Sequence, residues 1–359
     1  MKFKETVLVT GCAGFIGMHI SLKLIRNNFF VVGIDNLNDY YDVNIKKNRI
    51  KVLSKYKNFK FFKEDLKNKD TLDLVYKKKN FRKIIHLAAQ AGVRFSIENP
   101  KDYLENNVDT FLNILEFSKK KKINHLIYAS SSSVYGNNKK LPFSETDGAD
   151  HPISIYAVTK KTNELMAHTY SKLFGLATTG IRFFTVYGPF GRPDMALFKF
   201  TKSIIDGKKM EVYNNGNMHR DFTYIDDAVD ALYKIFLKKP KQEKSFNFKK
   251  NLPHISNCNF RIFNIGNNKS IRLDNFVKLI ENSLKKRAYI KYSPIQLGDV
   301  KSTTASNKIL NNWIKQKKPT SHKIGVQKFI NWYVKYFKIW ILSKKINKKI
   351  LLIQKLYKY

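Results

Sequence analysis

Cysteine is nearly absent from this 359-residue chain, which has only Cys12 and Cys258. Two thiols give neither a disulfide framework nor a metal-ligand set, and they suit a reducing compartment. None of the eight histidines pairs with cysteine or acid at metal-ligating spacing, so no metal is expected. A run of roughly 18 apolar residues is also missing, which excludes a membrane-crossing helix. No apolar signal segment precedes the first strand-like stretch, and a cytoplasmic protein is expected. Acids are scarce, with 28 Asp and Glu against 67 Lys and Arg, for a formal net charge of +39. Such a balance ordinarily points to nucleic acid or an anionic membrane. Here the lysines are spread over nearly every surface segment, among many Asn, Ile, Phe and Tyr, as a general compositional drift would leave them. No nucleic-acid-binding module accompanies the charge, so nucleic acid is not expected as a main partner. The charge would still draw in a polyanionic substrate.

The length suits one large domain or two intimate ones. Its organising stretch is V-L-V-T-G-C-A-G-F-I-G-M-H-I, residues 7 to 20. Val7, Leu8 and Val9 read as a buried parallel strand; Gly11, Gly14 and Gly17 form a G-x-x-G-x-x-G turn; Ile16, Ile20 and Leu24 keep helical spacing. A strand that runs through glycines into a helix aims backbone N–H groups and a helix N-terminus at one point, which suits a pyrophosphate. A second strand, Val31 to Ile34, ends in Asp35, 24 residues beyond Gly11. An acid at that distance binds the adenosine ribose 2′-OH and repels a 2′-phosphate, which favours NAD over NADP.

Strands are then expected at Phe59–Phe62, closed by Glu64-Asp65-Leu66, and at Ile84–Ala89, followed by the turn Gln90-Ala91-Gly92. A long helix is expected from near Ser96 through Leu115 to Ser118. Asn124 to Ser130 reads as a fifth strand ending in the serine run Ser130 to Ser133. This β-α alternation gives a doubly wound parallel sheet. Tyr156 and Lys160 follow on a helix reaching about Phe174, and their i, i+4 spacing puts phenol and ammonium on one face. A nearby cation stabilises phenolate and should lower the tyrosine pKa from about 10. Beyond a strand at Ile181–Phe184 come a loop over 185–194, a helix to about Asp206, the segment H-R-D-F-T-Y-I-D-D and another helix. A Lys- and Asn-rich span near 238–259 reads as a surface insertion. One more strand runs from Arg261 to Ile265. Pieces of a smaller domain therefore interleave with the end of the first. His86, ending a buried strand, reads as a core histidine.

Four longer stretches carry a resemblance: V-V-G-I-D-N-L-N-D-Y-Y-D-V, H-L-A-A-Q-A-G-V-R, S-S-S-S-V-Y-G and R-F-F-T-V-Y-G-P-F-G-R-P-D-M-A. Over about residues 4–337 the chain resembles the extended short-chain dehydrogenase/reductases of the nucleotide-sugar epimerase and dehydratase branch, and within it the UDP-glucuronate 4-epimerases. The resemblance implies an α/β fold, a doubly wound parallel (Rossmann) sheet with a smaller interleaved α/β substrate domain. It divides the chain into an NAD-binding part, 1–183 with about 222–266, and a nucleotide-sugar-binding part, 184–221 with 267–337. It implies NAD as cofactor, a UDP-sugar as substrate and a homodimer.

By the same resemblance, Gly11, Gly14, Phe15, Ile16, Gly17, Asp35, Asn36, Asp65, Leu66, Ala88 and Lys160 would hold NAD. Tyr156 would be the catalytic base, Lys160 its pKa modulator, and Ser131 the hydroxyl that shares the substrate's C4 oxygen. Ser132, Ser133, Thr185 and Arg192 line up with residues around the sugar carboxylate. Arg220 matches an arginine on the UDP phosphates, with Arg94, Gln296 and Asp299 also on the substrate. A 4-epimerase of a neutral sugar such as UDP-glucose or UDP-N-acetylglucosamine is the sharper rival, although such enzymes tend to carry Asn where this chain has Thr185. A dehydratase or decarboxylase would place a carboxylate shortly after the catalytic Ser or Thr, where Ser132 and Ser133 offer hydroxyls only.

Three features depart from the pattern: the very basic 238–259 insertion, Thr304-Ala305-Ser306 in place of an aromatic and an acid, and a basic tail. In the tail, Ile339, Leu342, Ile346, Ile350, Ile353 and Tyr357 keep helical spacing among lysines over 338–359. That is a basic amphipathic helix able to pack on the enzyme or lie on anionic lipid.

Overall fold

Val7, Leu8 and Val9 are apolar on both faces of a strand and are wholly buried, as the middle of a parallel sheet requires. In the computed structural model, which describes residues 3–339 apart from 245 and 251, they are the centre of β1 (Thr6–Thr10). The chain continues through β2 (Phe30–Asp35), β3 (Phe59–Lys63), β4 (Lys83–His86), β5 (His125–Ser131) and β6 (Thr178–Phe183). Four short strands, β7 (Thr185–Tyr187), β8 (Lys209–Tyr213), β9 (His219–Arg220) and β10 (Phe222–Tyr224), then precede β11 (Phe260–Ile265). The seven-stranded sheet has the order β11-β6-β5-β4-β1-β2-β3, parallel throughout. Strand order reverses between β1 and β4, and ligands of open α/β sheets bind beyond the strand ends at such a point.

Between strands run α1 (Phe15–Arg26), α2 (Val43–Leu53) and α3 (Thr71–Lys78). The single helix expected over 96–118 is instead broken into α4 (Phe95–Glu98), α5 (Pro100–Tyr103), a π-helical stretch Leu104–Asp109 and α6 (Thr110–Lys120). Pro100 starts the second piece because it lacks an N–H and forces the residue before it out of the helical region. Asn107, in the wider π turns, is buried and holds Gln90 N–H (2.7 Å), Gln90 O (3.0 Å) and the Thr159 hydroxyl (3.1 Å). β4 also ends earlier than expected: after His86 the N–H groups of Leu87 and Ala88 turn to the Thr10 hydroxyl, each at 3.2 Å.

The longest helix, α7 (Ile155–Phe174), starts where Ser154 Oγ accepts the Ala157 N–H at 3.2 Å and stops at Gly175, which takes the left-handed conformation (φ +67°). After it come α8 (Ala196–Asp206), α9 (Ile225–Leu237), β12 (Ile271–Arg272), α10 (Leu273–Leu284), β13 (Tyr289–Ser293), α11 (Lys308–Trp313) and α12 (His322–Tyr336). The short strands pair as β7 with β10, β9 with β12 and β8 with β13. Wholly buried Asp221 ties these ribbons to the main sheet. Its carboxylate accepts the N–H groups of Asn267 (2.6 Å), Asn268 (3.1 Å) and Ala305 (2.9 Å) and the Thr223 hydroxyl (3.1 Å). Among its described residues the 238–259 insertion has a 3₁₀ turn at Phe248–Lys250, and Arg261 Nη2 ties it back to Glu243 at 2.7 Å. From residue 340 onward the expected tail helix lies outside the described residues. Among the described residues no helix is long and apolar enough to cross a membrane.

Glu145 is wholly buried; Oε1 accepts the Asn264 N–H at 2.8 Å and Oε2 has no partner. Burial lifts its carboxyl to about 7, against the pull of the backbone bonds and of Arg182. An acid with a raised native pKa binds its proton more firmly when folded. Its contribution to stability is therefore full below the unfolded pKa and is lost as pH rises through the folded one. Urea unfolding should show stability falling by about 2 kcal/mol between about pH 5 and 7. Glu145→Gln should flatten that slope; an unchanged slope would remove Glu145 as its source.

Candidate active site

Three glycines shape the turn after β1, each for a different reason. Gly11 has φ +67°, and a Cβ there would lie 2.7 Å from Ala88 N. Gly14 caps α1 with no side chain in the way, so the first N–H groups of the helix stay open. A Cβ on Gly17 would lie 2.0 Å from Gly11 O, so α1 can press onto the turn only with glycine there. At the end of β2, the Asp35 carboxylate accepts the N–H groups of Ala13 (3.1 Å) and Leu37 (2.9 Å). Each oxygen keeps a free lone pair for a ribose hydroxyl. Burial raises the pKa of Asp35, against those two bonds and the charges of Lys46 and Arg49. Asp65 accepts Asn36 Nδ2 at 3.2 Å. A tight glycine cradle, an open helix N-terminus and an acid on the second strand fit a dinucleotide.

Across the strand ends, Tyr156 and Lys160 rise from one face of α7, with Lys160 Nζ 5.9 Å from the tyrosine ring centroid. Burial pushes the Tyr156 phenol up, while a hydrogen bond from Ser131 and the charge of Arg192 oppose it. That corrects the expectation from sequence. Losing water around a phenolate outweighs the neighbouring cation, and the opposing groups are Ser131 and Arg192, not Lys160. The Lys160 ammonium is itself pulled down to about 8 by burial. Ser131 caps a 3₁₀ turn, Ser132–Tyr135, accepting the Ser133 N–H at 3.1 Å with the two hydroxyl oxygens 3.0 Å apart.

Glu164 lies one more turn along the same face of α7. Its Oε1 accepts Ser130 Oγ (2.6 Å) and Arg182 Nε (2.8 Å), and Oε2 accepts Arg182 Nη2 (2.8 Å). Both charged side chains are buried, and the Arg182 guanidinium lies 4.7 Å over the Tyr135 ring.

Of the residues expected to act, those on the glycine turn, at Asp35, Asn36, Asp65, Leu66 and Ala88, the three serines 131–133, Tyr156, Lys160, Arg94, Thr185, Arg192, Arg220 and Asp299 all line one cleft of about 950 Å³. Gln296 does not, and its buried Oε1 accepts no hydrogen bond from the described residues. At the far end, Arg94 Nη2 donates to Asp299 at 2.9 Å and its guanidinium stacks 4.5 Å over Tyr213. Arg220 donates to His219 O (3.1 Å) and Lys301 O (3.2 Å). Arg192 donates both Nε and Nη2 to Asp194. His86 is a core histidine: Nδ1 lies 2.8 Å from the Thr10 hydroxyl, the ring stacks on Phe111, and burial brings its pKa down to about 3. Among the described residues no group of three or more His, Cys, Asp or Glu could hold a metal ion.

Sequence reasoning missed Arg49, Asp194, Tyr40 and Lys46. Arg49 is wholly buried on α2 and donates to Ala13 O (2.8 Å), the Tyr41 hydroxyl (2.6 Å), Phe190 O (2.7 Å) and Gly191 O (3.3 Å). It joins the glycine turn to the loop that carries Arg192. An arginine in a basic helix gives no signal of this, because only the fold brings residues 13 and 190 together.

Residues 7–249 match the model of the NAD dependent epimerase/dehydratase family. A Staphylococcus aureus protein, CapI, is 51% identical over 332 residues, covering 92% of this chain and 99% of its own length. UDP-glucuronate 4-epimerase 4 of Arabidopsis thaliana is 42% identical over 341 residues, covering 92% and 76%. The structure is similar to that of the UDP-glucuronic acid 4-epimerase from Bacillus cereus in complex with UDP-glucuronic acid and NAD (TM-score 0.82, 30% identity, covering 92% and 99%).

Arg49 offers a direct check on the cleft's construction. Arg49→Met leaves four oxygens, two of them buried, without their donor and should cost roughly 2–4 kcal/mol of unfolding free energy. The purified variant should also retain less dinucleotide. Unaltered unfolding together with unaltered NAD content would show the strut to be dispensable.

Proposed function

This chain belongs to the NAD-dependent epimerase/dehydratase family, and we propose that it is a UDP-glucuronate 4-epimerase, interconverting UDP-glucuronate and UDP-galacturonate with NAD as cofactor. The relatives of this activity support the reaction. The observation that carries the substrate is the anion-binding corner beside the reactive phenol: the Arg192 guanidinium and the Thr185, Ser132 and Ser133 hydroxyls lie in the cleft that holds Tyr156. A buried sugar carboxylate needs charge-assisted partners of this kind.

The glycine turn, Asp35, Asp65 and Lys160 would hold NAD, which when bound would supply a reversible hydride acceptor for C4, so the reaction would have no net redox change. Tyr156 is the base: its phenolate oxygen takes the C4 hydroxyl proton, with Ser131 sharing the C4 oxygen. Ser131 and the charge of Arg192 oppose the burial that raises the phenol, and Lys160, on the same helix face, would reach the cofactor ribose. Arg220 and Arg94, the latter fixed by Asp299 and Tyr213, hold the diphosphate end while the 4-keto sugar turns over. Tyr156 then returns the proton to the C4 oxygen of the other epimer.

Dehydration or loss of the C6 carboxyl would need an acid at the serine run. Asp194 is the carboxylate in that corner. Burial would raise its pKa, but Arg192 brings it below its ordinary value, so it has no proton to give. A neutral sugar would leave Arg192 without a substrate anion.

We further divide the chain into an NAD-binding part, 1–183 with 222–266, and a sugar-binding part, 184–221 with 267–337. A homodimer is supported by Leu112 on α6 and Val158 and Leu165 on α7, which are large, apolar and exposed. The reading includes a cytoplasmic enzyme whose product serves polysaccharide synthesis.

Incubating purified enzyme with each sugar nucleotide and resolving the products tests the substrate. UDP-glucuronate should be preferred to UDP-glucose by a wide margin in kcat/KM. Arg192→Met should lose roughly 2–4 kcal/mol of transition-state binding for the acid sugar and much less for the neutral one. Equal or better turnover of UDP-glucose by the unmodified enzyme would sink the assignment. Tyr156→Phe should bind substrate but turn over ~10²-fold more slowly or worse; near-normal turnover would remove Tyr156 from the mechanism.

A further inference from the structure

Epimerising an acid sugar raises a difficulty that a neutral sugar does not. Hydride leaves one face of C4 and must return to the other, so the 4-keto sugar turns over and its carboxylate lets go of whatever holds it. A guanidinium stripped of its anion in a mostly buried corner is costly. Here the corner contains a second carboxylate. Arg192 Nε donates to Asp194 Oδ1 at 3.0 Å and Nη2 donates to Oδ2, the two-point fork that a sugar carboxylate would also use. The two side chains are only 22% and 24% exposed, and both line the cleft with Tyr156. Arg192 is close enough for its charge to act on the Tyr156 phenol.

Asp194 also has Tyr40 beside it: burial and the charge of Asp194 hold the Tyr40 phenol up, and Tyr40 sits so tightly over Gly92 that a Cβ there would lie 2.5 Å from its oxygen. The loop itself is clamped by Arg49 through the Phe190 and Gly191 carbonyls. The fork therefore rests on a fixed base, with its Nη1 donors outside the bidentate contact. A carboxylate built two residues from the arginine expected to bind the substrate's carboxylate repels that substrate, unless it has a use.

We propose that Asp194 is a positioning residue that stands in for the sugar carboxylate on Arg192. It shares the guanidinium while the acid group is bound and takes the fork back when that group leaves, so Arg192 is never left without an anion during the turnover of the 4-keto sugar. The inference rests on the UDP-glucuronate reading. Asp194 then weakens ground-state binding of the acid sugar and speeds its release from the arginine. Removing its charge should do the reverse.

Asp194→Asn keeps the shape of the side chain, and Asp194→Ala removes it. In the NAD-loaded enzyme, Kd for UDP-glucuronate, read by calorimetry, should fall roughly five-fold or more in both variants, and kcat should fall roughly ten-fold or more. Kd for UDP, which has no sugar acid, should stay within about two-fold. Unchanged or weaker UDP-glucuronate binding with UDP binding intact overturns the proposal, as does an unchanged kcat. A parallel loss of UDP binding makes Asp194 a prop for the loop and overturns it too. If the unmodified enzyme turns over UDP-glucose and ignores UDP-glucuronate, the substrate reading itself has failed, a result separate from anything the variants do.

Discussion

The ion pair between Glu164 and Arg182 sets the rotation of α7, and the site depends on that rotation. Tyr156, Lys160 and Glu164 follow one another at i, i+4 and i+8, so they share a face of one helix. Two of them must stand in the cleft, while the third is pinned inside the protein by Ser130 at the end of β5 and Arg182 near the end of β6. A buried pair of this kind adds little net stability, because both charges give up their water. Its geometry is another matter, since neither charge tolerates losing its partner. The helix cannot roll without breaking three charge-assisted bonds. Ser131, next to Ser130 on β5, is thereby kept facing the Tyr156 phenol.

A second constraint acts at the other end of the cleft. Gly11, Gly17 and Arg49 hold the glycine turn against the segment after β4 and against the loop at 188–194, so two distant parts of the cleft wall share one piece of framework. Asp221 does the same for the short ribbons, collecting N–H groups from the β11 end and from residue 305. The cleft wall is thus assembled from segments far apart in sequence, each tied by a buried polar group that gathers several hydrogen bonds.

What was legible in the sequence follows from this. Local signals announced themselves: the apolar run of β1, the glycine turn, Asp35 on its strand end, and Tyr156 with Lys160 on a helix reaching about Phe174. Those features depend on residues close in the chain, and they appeared within a residue or two of where the pattern put them. The helix over 96–118 was misjudged because its apolar spacing persists through Pro100, and the π turn around Asn107 is stabilised by Gln90 and Thr159, which are distant in sequence. The phenol's pKa was misjudged because spacing shows a cation nearby but not how much water is lost. Arg49 and Asp194 were invisible for the same reason. In a chain with 67 lysines and arginines, only the fold says which cation is buried and what it touches.

In the proposed cycle C4 is oxidised and reduced while the sugar stays bound, with the carboxyl group left in place. UDP-glucuronate carrying deuterium at C4 tests it most directly. Incubated in ordinary water and followed by NMR and mass spectrometry, it should yield UDP-galacturonate with the deuterium still on C4 and no loss of carbon dioxide. Product whose C4 hydrogen comes from the solvent, or a pentose nucleotide with the carboxyl gone, would contradict the account.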